Sequence, residues 1–130
     1  MRETILVADD DVEVLELVKL ILEQKGYEVL TARDGLEAVE LYRVESRKIV
    51  LVLTDMGMPR LGGWEAFQQI RQINPAAKFI FASGYLDPKL RSEMLEAGAK
   101  DFIQKPYVVD QVLRLVRKVI DGHSSSGEAG

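Results

Sequence analysis

The chain has 130 residues, of which 47 % are hydrophobic and 29 % charged, the balance of one soluble globular domain rather than of a fibrous or disordered chain. Its 21 acidic residues outnumber 17 basic ones, for a net charge of −4, which argues against direct nucleic-acid binding and against an anionic membrane surface. Cysteine is absent, so disulfides and thiolate metal sites are excluded; with no signal peptide and no apolar run of membrane-spanning length, a cytoplasmic location is expected.

Apolar runs and amphipathic stretches alternate five times, the pattern of strand-helix units around a parallel sheet covered on both faces. Strands are expected near 4–8, 27–31, 49–54, 78–82 and 101–104. The first helix carries Val12, Leu15, Val18, Ile21 and Leu22 on one stripe, and Gly26 stands where a left-handed terminus is wanted. Either Asp10 or Asp11 suits its N-cap, and Asp10 has capping-box spacing to Glu13. A second helix near 35–46 exposes Glu37 and Glu40 and buries Leu36, Val39 and Tyr42. The third, 63–73, stops at Asn74-Pro75, and the fourth opens at Pro88 and closes at Gly98. The last, 107–121, buries Val109, Val112, Leu113, Val116 and Ile120. Residues 1–121 thus make the folded domain, and 122–130, with the only histidine, His123, read as a disordered tail or linker.

The chemistry gathers at strand ends. Asp9, Asp10 and Asp11 follow the first apolar run, and Asp55 ends the third. Neighbouring parallel strands lie about 4.8 Å apart, and two carboxylates about 5 Å apart repel by roughly 3 kcal/mol at an effective dielectric of 20. Such a cluster calls for a cation, and carboxylate oxygens without His or Cys favour a hard divalent ion, Mg²⁺ or Mn²⁺. In a doubly wound sheet the loops at the carboxyl ends of the strands form the site. That edge would gather Asp9 and Asp10, Asp55-Met56-Gly57-Met58-Pro59, Ser83-Gly84-Tyr85 and Lys105-Pro106-Tyr107. The set suits phosphoryl transfer: Asp9 and Asp10 hold metal, while Asp55 is both ligand and nucleophile. Lys105 and the Ser83 hydroxyl meet phosphoryl oxygens.

These residues resemble the receiver domains of bacterial two-component response regulators, through Ile5-Leu6-Val7-Ala8-Asp9-Asp10-Asp11, Leu53-Thr54-Asp55-Met56-Gly57-Met58-Pro59, Ala82-Ser83-Gly84-Tyr85 and Phe102-Ile103-Gln104-Lys105-Pro106-Tyr107. The resemblance spans residues 3 to 121. It implies an α/β, flavodoxin-like fold with five parallel strands in the order 2-1-3-4-5. By the same match Asp55 takes phosphate from a phosphohistidine of a sensor histidine kinase or phosphotransfer domain. Asp9, Asp10, Asp55 and the Gly57 backbone carbonyl ligate the metal, Ser83 and Phe102 are the switch hydroxyl and switch aromatic, and the Lys105-Pro106 bond is cis. Gly57 and Tyr85 border the path of the hydrolytic water and set phosphoryl lifetime, and the face of the fourth helix, fifth strand and fifth helix offers a surface for signalling and for a homodimer. Gly57 departs from the polar residue many relatives carry, and the Ser-Gly-Tyr triplet resembles receivers of hybrid sensor kinases. A Mg²⁺-dependent aspartyl phosphohydrolase is the enzymatic alternative, but its general acid would fall at Gly57, which cannot transfer a proton. A flavin-phosphate carrier is opposed by the acidic first loop, and a degenerate receiver serving only as an interaction module by the full set of phosphoryl-site residues.

Overall fold

Among the described residues, five strands and five helices alternate strictly: β1 (Thr4–Ala8), α1 (Val12–Gln24), β2 (Glu28–Ala32), α2 (Gly35–Glu45), β3 (Ile49–Asp55), α3 (Gly63–Ile73), β4 (Phe79–Ser83), α4 (Pro88–Glu96), β5 (Asp101–Gln104) and α5 (Val109–Ile120). The structure, a computed structural model, describes residues 2–122. The expected tail therefore lies, but for Gly122, outside the described residues, as does His123. Among the described residues no helix is long and apolar enough to cross a membrane.

All strands are parallel, in the order β2-β1-β3-β4-β5, as the resemblance implied. Because successive strand residues point to opposite faces, each strand feeds two cores. Leu6, Ala8, Val52, Phe79 and Phe81 pack with Tyr42, Phe67, Ile70 and Met94 from α2, α3 and α4. Ile5, Val7, Leu51, Leu53, Ile80 and Ile103 pack with Leu15, Val18, Leu22, Val112 and Val116 from α1 and α5. Each such side chain contributes about 1.5–3 kcal/mol when fully buried, which is why the inner strands are continuous apolar runs. Register then sets the site. Ala8 pairs with Thr54, Asp55 with Ala82, and Ser83 with Gln104, so the residues that end these strands emerge along one edge.

Helix ends follow local chemistry. Gly26 (φ 93°) and Gly98 (φ 120°) take the left-handed conformation after α1 and α4, where a Cβ would be strained. Asp87 caps α4, with Pro88 in its first turn, and Asn74 ends α3. One open alternative is decided, and three details differ from the sequence reading. Asp11, not Asp10, caps α1, its side chain accepting from the Glu13 and Val14 amides; the helix begins at Val12, which leaves Asp10 outside the cap. Leu36 is exposed, and α2 buries Gly35, Ala38, Val39 and Tyr42 instead, since Leu36 is a helical step of 100° away from Gly35. Val12 and Val109 are also exposed, each as the first residue of its helix. Helix α5 starts at Val109 rather than 107 and buries Val119.

Candidate functional site

The carboxyl edge carries an acidic cluster. Asp9, one residue beyond β1, is 1 % exposed. One of its oxygens accepts from the Asp11 amide at 2.9 Å and the other from Lys105 Nζ at 3.0 Å. The same ammonium donates to Asp55 Oδ1 at 3.2 Å. Asp10 is exposed at the rim, yet each of Asp9, Asp10 and Asp55 offers an oxygen within 4.8 Å of the others. Lys105 reaches the cluster from the loop after β5, where its amide donates to the Ser83 carbonyl at 2.9 Å and its bond to Pro106 is cis.

One ammonium does not balance three carboxylates. Burial raises the Asp55 carboxyl above the usual carboxylate range; Lys105 opposes the shift, but the Asp9 charge reinforces it. Burial pulls the Lys105 ammonium down, yet its hydrogen bond to Asp9 and the charges of Asp55 and Asp9 outweigh that and raise it. The Tyr107 hydroxyl is pushed up by burial and then by Asp9 and Asp55, so it stays a neutral neighbour, its ring centroid 6.0 Å from Lys105 Nζ. A donor set of carboxylate oxygens at one partly dehydrated point suits a hard divalent cation.

Backbone contacts fix Asp55 in ways the sequence reading missed. The Gly63 amide donates to the Met56 carbonyl at 2.9 Å, and a Cβ on Gly63 would run into the Asp55 carbonyl oxygen. Helix α3 therefore starts against the backbone of Asp55, and only glycine allows the approach. The Gly62-Gly63 pair was the available signal. Thr54 adds a hydroxyl donor to the Asp55 carbonyl at 3.0 Å.

The remaining expected residues lie around this centre. Ser83 ends β4, but its hydroxyl serves its own loop, donating to the Tyr85 carbonyl at 2.7 Å and accepting the Tyr85 amide at 3.2 Å. Phe102 is half-buried, stacked on Phe81 at 6.0 Å with the Arg91 guanidinium 5.2 Å from its centroid. Tyr85 is 76 % exposed, and it lines with Ser83, Arg91, Phe102 and Gln104 a groove of about 320 Å³. Gly57 is exposed, with open space where a Cβ would stand.

Comparison with known proteins agrees with this geometry. Residues 5–117 match the response regulator receiver domain family. The chemotaxis protein CheY of Bacillus subtilis is 35 % identical over 122 residues, covering 93 % of this chain and all of that protein. The CAI-1 autoinducer sensor kinase/phosphatase CqsS of Vibrio cholerae is 40 % identical over 115 residues, 86 % of this chain but 16 % of that protein. Among solved structures, the CheX–CheY–BeF3–Mg²⁺ complex of Borrelia burgdorferi superposes with a TM-score of 0.85 at 32 % identity, covering 89 % of this chain and 87 % of that one. The chain belongs to the response regulator receiver family, and its acidic cluster stands where a two-component receiver domain takes its phosphoryl group.

Proposed function

We propose that Asp55 is the phosphoacceptor and that residues 1–121 act as a phosphorylation-driven switch. The observation that carries this reading is a partly buried carboxylate at the end of β3, hydrogen-bonded to Lys105 and within 4.8 Å of two further acids. An Asp55 oxygen attacks phosphorus as the phosphorus–nitrogen bond of a partner's phosphohistidine breaks. The electron pair stays on the imidazole nitrogen, which takes a proton from solvent. The attacking group is the Asp55 carboxylate, whose charged form Lys105 favours against burial, and a carboxylate requires no general base. Lys105 Nζ, already between Asp9 and Asp55, moves onto a phosphoryl oxygen. Asp9, Asp10, Asp55 and the Gly57 carbonyl would hold Mg²⁺ or Mn²⁺, which when bound offsets the charge of carboxylates and phosphoryl oxygens.

The added charge of about −2 with its strong acceptor oxygens draws the Ser83 hydroxyl out of its turn with Tyr85 and opens space for Phe102 to rotate inward. The face of α4, β5 and α5 then changes for partner binding or homodimer formation. Gly57 and Tyr85 flank the approach of the hydrolytic water and set the lifetime of the acyl phosphate. The domain promotes its own phosphorylation and dephosphorylation, with a sensor histidine kinase or phosphotransfer domain as donor. The match to a segment of CqsS supports a sensor kinase as one parent in which such a receiver works.

Acetyl phosphate with Mg²⁺ tests this by intact-mass measurement. Wild type should gain one phosphoryl group and lose the gain on chelation, while Asp55→Asn stays unlabelled. Undiminished labelling of Asp55→Asn would overturn the assignment.

A further inference from the structure

Among the described residues, Arg60 is the one non-glycine with a positive φ, at 65°. Left-handed backbone is disfavoured for a side chain with a Cβ, so something must hold Arg60 there. Its Nε and Nη2 both donate to Asp34 Oδ2, at 2.8 and 2.5 Å. Asp34 is 7 % exposed, and its other oxygen caps α2 by accepting the Glu37 amide at 2.9 Å. Both oxygens of one buried carboxylate are thus committed, one to a helix and one to a loop.

A second tie lies beside the first. The Gly35 amide donates to the Leu61 carbonyl at 2.9 Å, and a Cβ on Gly35 would collide with that carbonyl. The loop is also closed on itself, by Leu61 N–H to the Pro59 carbonyl at 2.7 Å and Gly63 N–H to the Met56 carbonyl at 2.9 Å. Residues 56–62 are therefore a compact loop fastened at two points to the start of α2. Gly57 sits in that loop, between Asp55 and Arg60.

We propose that Asp34 and Arg60 are positioning residues for the metal site: their pair holds the loop after Asp55 so that the Gly57 carbonyl meets the cation cluster, and so raises cation affinity. This rests on the reading of Asp9, Asp10, Asp55 and Gly57 as the Mg²⁺ site. A pair of this kind between exposed side chains would contribute little. Arg60 is exposed, but both its guanidinium donors converge on one oxygen of a buried carboxylate, at a residue whose backbone would otherwise relax. Coupling of this kind is reciprocal, so the cation should in turn steady the start of α2.

The test is a Mg²⁺ titration followed by the fluorescence of Trp64, the single tryptophan, which follows Gly63 in the first turn of α3. Asp34→Asn keeps an oxygen for the α2 cap but gives up the charge that holds Arg60, and Arg60→Gly removes the guanidinium while relieving the backbone. Each should weaken Mg²⁺ binding by about tenfold, the low end for residues that orient metal ligands, and the double variant should be no weaker than either single one. Arg60→Lys, with one donor group in place of the fork, should fall between. In metal-free protein, Asp34→Asn should speed amide exchange at Gly57, Met58, Arg60 and Leu61, and Mg²⁺ should slow exchange at Gly35 and Glu37 in wild type alone. Dissociation constants within twofold of wild type in both single variants, or losses that simply multiply in the double variant, would overturn the positioning role while Mg²⁺-dependent labelling of wild-type Asp55 stands. Failure of wild type to bind Mg²⁺ or to be labelled would overturn the functional reading and the positioning role together.

Discussion

The two edges of the sheet handle charge in opposite ways. At the amino-terminal edge, acids and bases are matched: Arg117 pairs with Glu3 at 2.9 Å and Asp121 at 2.8 Å, Lys48 lies 3.9 Å from both Glu28 and Glu45, and Arg2 and Arg47 line a groove with Glu3 and Glu28. Lys78 donates to the Val119 and Ile120 carbonyls at the end of α5. At the carboxyl edge one ammonium serves Asp9 and Asp55, with Asp10 beside them, and Asp9 is fully buried. Matched, exposed charges contribute a few tenths to about 1 kcal/mol per pair. Unmatched charges in a dehydrated place destabilise the metal-free fold and create affinity for what neutralises them. The carboxylate oxygens of the second edge are a donor set that suits a hard divalent cation.

Removing the cation that serves Asp9 and Asp55 should break the contrast most sharply. Lys105→Met leaves the Asp9 carboxylate without its ammonium, and urea denaturation of the metal-free variant should show a loss of about 3 kcal/mol. Mg²⁺ should restore more stability to this variant than to wild type, although acetyl phosphate labelling of Asp55 is lost. An equal Mg²⁺ effect on both proteins would mean that Lys105 and the metal do not share the same carboxylates.

Neutralising an acid should act in the reverse sense. Because burial raises the Asp55 carboxyl, its neutral form favours the fold. That contribution is present below the ordinary carboxylate range and is lost as pH rises through the raised value. Asp55→Asn should therefore melt higher than wild type at neutral pH without metal, and the difference should shrink on acidification. A lower melting temperature for the variant would show that the ion pair to Lys105 outweighs burial.

Much of this contrast was legible in the sequence, for a physical reason. Strands buried on both faces must be apolar throughout, so Ile5-Leu6-Val7-Ala8 and Ile49 to Leu53 announce themselves, and charged residues directly after them mark the sheet edge. The choice between Asp10 and Asp11 as cap was not legible, because it depends on which residue first takes helical dihedrals. Nor were the exposures of Val12, Leu36 and Val109: periodicity gives a face but not how much of it is covered. The approach of Gly63 to the Asp55 carbonyl had a signal in its glycine pair, whereas the grip of Asp34 on Arg60 joins residues 26 positions apart and leaves no mark in either local pattern.

Smaller effects sharpen the comparison. Tyr85→Ala should shorten the acyl-phosphate lifetime by up to tenfold, about 1.4 kcal/mol of barrier, when decay is followed by mass, while Tyr85→Phe decays as wild type does. Equal decay in all three with altered partner binding would assign Tyr85 to the groove it shares with Phe102. At the other edge, Arg117→Ala should cost about 1 kcal/mol or less in urea denaturation, with the labelling rate at Asp55 unchanged. A change in labelling would mean that the two edges are coupled.

The most direct test of the contrast is the melting temperature against Mg²⁺ for wild type, Arg117→Ala and a variant with Asp9→Asn and Asp10→Asn together. Stabilisation grows as RT ln(1 + [L]/Kd), about 2.7 kcal/mol at a hundredfold excess over Kd. Wild type and Arg117→Ala should rise in parallel, and the doubly neutralised variant should not respond. An equal rise in all three would place the cation away from the acidic cluster and contradict the account.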